Sequence, residues 1–294
     1  MNSLNDSETI REDNSNSDSD SNSNSDSDSD NTNTNTYLSN LNRHERDAAI
    51  SFDAGPHKYT INGDTNKDYT SVTKWNHSHF SDFDADKIIT SMMNSKNWEK
   101  NKYYGKTREE IKCLWDKNRD EAADAGTKMH YDIECYYNKN PTSNNDSIEY
   151  AYFKEFNELT ETNLIPYRTE WMIYHEDLLL AGSVDMVFEN PDGTLMIYDW
   201  KRSKEIKKTD NFMKFAKTDC ISHIPDTNYW HYALQLNTYK AIIEEKYGKK
   251  VTKLCLVCLH PDNKNKSFQL IPVPDLQKDI KELFELRMNQ LSHL

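Results

Sequence analysis

Ala181-Gly182-Ser183-Val184-Asp185-Met186-Val187-Phe188 and, after Asn190-Pro191-Asp192-Gly193, Leu195-Met196-Ile197-Tyr198-Asp199-Trp200-Lys201 decide how this chain is read. With proline opening a type I turn and glycine in the left-handed position, Pro191-Asp192-Gly193 is a short hairpin connection that pairs Asn190 with Thr194. Counting back along both strands sets Asp185 opposite Asp199, and directly opposed residues share a face of the sheet. Side chains alternate along a strand, so Lys201 joins the Asp199 face. Two carboxylates so placed suit a hard divalent cation such as magnesium or manganese. The lysine suits orienting or deprotonating a water, or neutralising charge that develops at phosphorus. Cross-strand Asp and Lys on a half-exposed hairpin also form a plain ion pair, so the hairpin alone leaves two readings.

Outward from the hairpin, the pattern predicts strands at 167–174, 178–188 and 195–200, a helix over 229–247, strands at 251–259 and 268–273, and an amphipathic helix at 275–291. Upstream, short strands at 52–61 and 69–73 flank the Asn62-Gly63 turn signal. A long helical stretch at 108–137 is expected to be interrupted near Asp124-Ala125-Gly126, and a helix at 148–164 to bury Ala151, Phe153, Phe156 and Leu159. Strands interleaved with helices imply an α/β fold, a central mixed β-sheet flanked by α-helices. His130 and Glu134 lie one helical turn apart and share a face, as do Gln235 and Tyr239. Glu170 falls opposite Ser183, on the Asp185 face, if Glu176-Asp177 is a two-residue turn; a turn shifted by one residue sends it to the other face.

Four pieces in order, Gly126-Thr127-Lys128-Met129-His130-Tyr131-Asp132-Ile133-Glu134, Gly182-Ser183-Val184-Asp185, Asp199-Trp200-Lys201 and Gln235-Leu236-Asn237-Thr238-Tyr239, resemble the PD-(D/E)xK nuclease superfamily, in particular its RecB-like branch. The resemblance covers roughly residues 50 to 275. It implies a restriction-endonuclease-like core and a metal-dependent phosphodiesterase, an exonuclease on DNA ends with single strands preferred. It further implies His130, Asp185, Asp199 and the Trp200 backbone carbonyl as metal ligands for one or two Mg2+ or Mn2+ ions, with Glu170 and Glu134 as possible additions. Lys201 would be the catalytic lysine, with Gln235, Tyr239, Ser183, Arg202 and Lys204 beside the site or on the substrate. Position 199 is aspartate where many members carry glutamate, and Val184 stands where the superfamily name expects proline. The four-cysteine pattern that holds an iron-sulfur cluster in some relatives is not seen. A catalytically silent nucleic-acid-binding module, and an endonuclease on RNA or branched DNA, are the competing readings.

Residues 1–36 are a run of Asn, Ser, Asp and Thr expected to be disordered, because they cannot offset the entropy of ordering. They hold nine acids against one arginine, a net of −8, leaving −5 for the remainder of a chain that totals −13. Residues 37–294 are expected to form a single nuclease domain with a helical elaboration at about 74–137. Two basic clusters, Lys201 to Lys208 and Lys96 to Arg108 with Trp98, Tyr103 and Tyr104 interleaved, match phosphate and base contact or a solvated face. The five cysteines lack disulfide-like spacing, and no signal peptide or membrane-length apolar run is present, so an intracellular soluble protein with no membrane partner is expected. The tail composition points to a protist or a large DNA virus as source.

Other chemistries are excluded by spacing. Gly105-Lys106-Thr107 lacks the earlier glycine of a phosphate loop, Lys100 standing in its place. Cys255 and Cys258 near His260 alternate to opposite faces of an apolar strand, so no zinc is expected. His77 and His79 flank one serine, a spacing as compatible with surface residues as with a site. Gly-x-Ser-x-Gly is absent.

Overall fold

The computed structural model describes residues 35–141, 145–160, 163–209 and 213–293. The acidic tail at 1–36 lies outside the described residues, its last two excepted. In chain order the elements are α1 (Tyr37–Leu41), β1 (Ile50–Asp53), β2 (Lys58–Ile61), β3 (Thr70–Ser71), α2 (Val72–His77), α3 (Ala85–Met93), α4 (Arg108–Tyr137), α5 (Ile148–Thr160), β4 (Ile165–His175), β5 (Leu180–Glu189), β6 (Leu195–Lys201), α6 (Asn228–Lys246), β7 (Val251–Cys258), β8 (Gln269–Pro272) and α7 (Gln277–Ser292).

β4, β5 and β6 form an antiparallel meander, α6 carries the chain to β7 parallel to β6, and β8 returns antiparallel along β7. The two residues of β3 lie parallel to the start of β5. The result is an α/β fold with a mixed sheet between helical layers. Leu195 and Ile197 of β6 pack with α2, α6 and α7. Met196, Tyr198 and Trp200 pack with α4 and α5 on the opposite face. β7 is almost wholly apolar because it is buried on both faces. No helix among the described residues is long and apolar enough to cross a membrane.

Three expectations are corrected. The helix at 108–137 is not interrupted: α4 runs through Gly126, whose missing side chain leaves open space. A single glycine among helix-forming alanines costs only about 1 kcal/mol and does not break the ladder. α5 ends at Thr160 and buries Tyr152, Phe153 and Phe156 rather than Ala151 and Leu159, the latter being exposed. The first hairpin turns at 54–57 between β1 and β2; Asn62 and Gly63, both at positive φ, close a separate tight turn between Ile61 and Asp64.

One irregularity positions the site. Val184 and Val187 of β5 belong to the α6 core, whereas Met186 and Phe188 belong to the α4 core, so the two-residue alternation slips once at Asp185. On β4 the matching slip falls at Glu170, which adopts φ of 41°. Trp171 packs in the α6 core, while the Thr169 hydroxyl accepts from Asn138 at the end of α4. A non-glycine residue at positive φ is strained, and such strain concentrates at functional positions.

Candidate metal centre

β6 pairs with β5 only as far as Tyr198 opposite Met186, and β3 pairs with β5 at Leu180 and Ala181. Residues 182–185 of β5 lie between these two ladders. Asp185 fills the end of this gap, its Oδ2 accepting the Trp200 N–H at 3.0 Å. In an extended strand a residue's N–H and C=O project to the same edge, so the Trp200 carbonyl faces the same gap. The Lys201 carbonyl points the other way and accepts from Leu259 N.

Three side chains from separate elements converge here. His130 on α4, Glu170 on β4 and Asp185 on β5 each present a ligand atom within 4.8 Å of the others, the one such group of His, Cys, Asp or Glu among the described residues. His130 Nδ1 lies 3.6 Å from Asp185 Oδ2 and 3.7 Å from Glu170 Oε1. Glu170 is level with Asp185, not with Ser183 as the two-residue turn required. The β4–β5 connection is four residues, between His175 and Leu180, which shifts the register by two and keeps the face. Ser183 Oγ donates to Glu170 Oε2 at 2.8 Å and fixes that carboxylate.

Asp199 is not one of this mutually close group of three but acts electrostatically on Asp185. It continues the α6-facing parity of Leu195 and Ile197, and its Oδ2 lies 2.8 Å from Lys201 Nζ, both side chains being buried. Lys201 Nζ also sits 4.8 Å from the centre of the Tyr232 ring on α6. The gap therefore brings a metal-type donor set from the α4 side against an ammonium–carboxylate pair from the α6 side.

The electrostatics follow from burial and like charge. Desolvation, reinforced by Asp199, raises the Asp185 carboxyl well above its ordinary value, with His130 and Lys201 opposing. Burial works against an imidazolium at His130, yet Asp185 and Glu170 outweigh it and push its pKa up to about 9. Burial likewise opposes charge on Lys201, and Asp199 and Asp185 overcome it and hold its pKa above the ordinary lysine value. Glu134, one turn along α4, is raised to about 7 by burial and by Glu170; it is not among the converging ligands. One imidazole and two carboxylates are a donor set able to hold a divalent cation: the carboxylates suit hard ions such as magnesium or manganese, and the imidazole is a borderline ligand that suits softer transition metals as well. A divalent cation at this group would offset the burial and like charge that raise the Asp185 carboxyl.

On α6, Gln235 Nε2 donates to Thr73 Oγ1 at 3.0 Å and to Tyr239 OH at 3.2 Å. The Tyr239 ring packs on Gly182, where an added Cβ would meet its Cε1 at 2.9 Å. The basic stretch after Lys201 is largely neutralised within the protein: Arg202 bonds Glu149 at 2.6 Å, and Lys204 and Lys207 approach Asp262 and Glu205. In the second cluster Tyr103 is buried and bonded to Trp115, and Tyr104 remains exposed. Cys255 and Cys258 are buried free thiols. His79 is buried, and His77 lines a cleft. Thr73, Asn76, His77, His231 and Tyr232 gather beside Lys201 without any local sequence signal, because β3 pairing carries α2 there.

The chain matches no protein-family model and no curated protein.

Proposed function

We propose that this chain is a divalent-metal-dependent DNA nuclease of the RecB-like branch of the PD-(D/E)xK superfamily. The observation that carries this is the convergence of His130, Glu170 and Asp185 within 4.8 Å beside the buried Lys201–Asp199 pair. His130, Glu170 and Asp185 would hold the ion, with Asp199 and the Trp200 carbonyl facing the same gap. A divalent ion held there supplies Lewis acidity toward a phosphodiester and lowers the pKa of an attacking water. Lys201, kept charged by Asp199, offers a fixed cation for the negative charge that builds at phosphorus, and being buried it needs no reorganisation to do so. Glu170 is held for its task by Ser183, and Asp185 by the Trp200 N–H. Action on DNA ends, with single strands preferred, belongs to the same proposal and rests on the resemblance alone.

The test uses the full chain with end-labelled single- and double-stranded DNA in Mg2+, Mn2+ or EDTA, beside Lys201→Ala. Expected is metal-dependent shortening that the variant loses while it still binds DNA. Cleavage that persists in EDTA, or a variant as active as the parent, would overturn the proposal.

A further inference from the structure

The loop between α3 and α4 is a basic surface that the proposed metal centre leaves unused. Lys96, Lys100, Lys102 and Lys106 stand within it beside a single carboxylate, Glu99. The loop is held from beneath by Tyr103, which is buried with Ile89, Met92 and Ile111 and whose hydroxyl accepts from Trp115 Nε1 at 2.9 Å. Around that anchor Lys96, Lys100, Tyr104 and Lys106 are exposed. Lys96, Lys100 and Lys106 form no ion pair among the described residues, whereas Arg108 and Lys112 just beyond them share Asp86. Glu109 and Glu110 open α4, and Glu110 is committed to the Thr107 N–H at 2.7 Å. Like charges gathered on one surface favour an anionic partner.

The chain carries such a partner itself. Residues 12–20 hold four carboxylates, Glu12, Asp13, Asp18 and Asp20, and no basic residue. They lie outside the described residues, but the point where their segment joins the fold is fixed at the far end of α4. Asn35 Nδ2 lies 3.5 Å from Cys135 Sγ, Leu38 N donates to Asn138 Oδ1 at 3.1 Å, and Lys139 Nζ sits 3.9 Å from the centre of the Tyr37 ring. From Cys135 back to the Thr107 cap α4 covers about 42 Å by helical rise. The chain from Asp20 to Asn35 can span about 50 Å and that from Asp13 about 75 Å, so all four acids reach the lysines. Asp26, Asp28 and Asp30 are too close to Asn35 to do so. Being tethered, the segment meets the loop without a bimolecular step, whereas an external polyanion must approach a remainder that carries −5.

We propose that the acidic stretch 12–20 docks on the lysine loop of its own chain, four carboxylates facing four ammonium groups. His130 lies on α4 between the point of attachment and the loop, so the docked segment follows the helix that carries it. The docking does not depend on the nuclease reading. Its consequence does: on that reading a nucleic acid has to displace the segment to gain the loop.

Zero-length carbodiimide coupling of the full chain, with linked peptides from the monomer band read by mass spectrometry, tests this without metal or nucleic acid. Expected are amides from Glu12, Asp13, Asp18 or Asp20 to the loop lysines, several-fold more abundant than amides to the exposed Lys250, Lys264 and Lys278. They should be lost at about 1 M salt, where the Debye length is about 3 Å. The variant Lys96→Gln/Lys100→Gln/Lys106→Gln changes only exposed side chains. In small-angle scattering the parent should expand between low and high salt, and the variant should be expanded already at low salt. Coupling spread evenly over the exposed lysines, or equal dimensions of parent and variant at low salt, overturns the proposal. Absence of loop amides in a chain whose oligothymidylate binding needs the same three lysines gives the loop to nucleic acid and overturns it too. Neither measurement reads cleavage, so failure here and failure of the nuclease reading are separate results.

Discussion

The Asp185 carboxylate accepts the Trp200 N–H at 3.0 Å, one residue past the point where β5 and β6 cease to pair. A side chain replaces a main-chain rung, and the strands part around it. The gap so made admits His130 from one face of the sheet and Lys201 from the other.

Asp185→Asn separates a structural role from a ligand role. The amide oxygen can keep the Trp200 bond while removing a negative charge that burial, Asp199 and Glu170 all disfavour. The metal-free melting temperature should hold or rise by about 2–4 °C, while the stabilisation produced by Mn2+ in the parent disappears. Melts with and without EDTA give both numbers; a lower metal-free melting temperature would mark Asp185 as structural.

Lys201→Met leaves the buried Asp199 without its ammonium partner, at a cost of about 3–5 kcal/mol. Adding Asn at 199 removes the stranded charge, so Asp199→Asn/Lys201→Met should recover more than half of the loss in urea unfolding. Asp199→Asn alone completes the cycle, and activity should be absent from all three variants. Additive stabilities would contradict the coupling.

Gly182→Ala directs a methyl group at the Tyr239 ring, 2.9 Å from Cε1, with Val72 at 3.3 Å behind it. Overpacking of this kind costs about 1–3 kcal/mol. The cost should shrink in a Tyr239→Leu background, measured by denaturant unfolding; an equal cost in both backgrounds would place the strain elsewhere.

His79 contributes an acid-side stability limit. Burial first, then Lys217 and Arg287, lower its pKa to about 4 from the ordinary 6.5, so the unfolded chain takes up the proton first. Its contribution is complete above pH 6.5 and is lost as pH falls toward 4, about 3 kcal/mol over the interval. His79→Gln should flatten the stability-versus-pH curve between those values relative to the parent, read from melts in matched buffers.

Much of the sheet was legible because hairpin chemistry is local: Pro191-Asp192-Gly193 fixes the pairing of Asn190 with Thr194, and the structure has Asn190 N donating to Thr194 O at 2.8 Å. The register of Glu170 was not legible, since a turn of two residues and one of four leave the same alternation. Nor was the fate of Gly126, where neighbouring alanines carry the helix through.

Sequence by itself determined the α/β class, the meander and the placing of Asp185, Asp199 and Lys201 on adjoining strands, because these follow from periods and turns within a few tens of residues. Only the tertiary structure decided that Glu170 joins His130 and Asp185, and that α2 lines a cleft with α6. Those outcomes depend on paired slips in two strands and on where β3 docks, and contacts between segments far apart in the chain leave no local pattern to read.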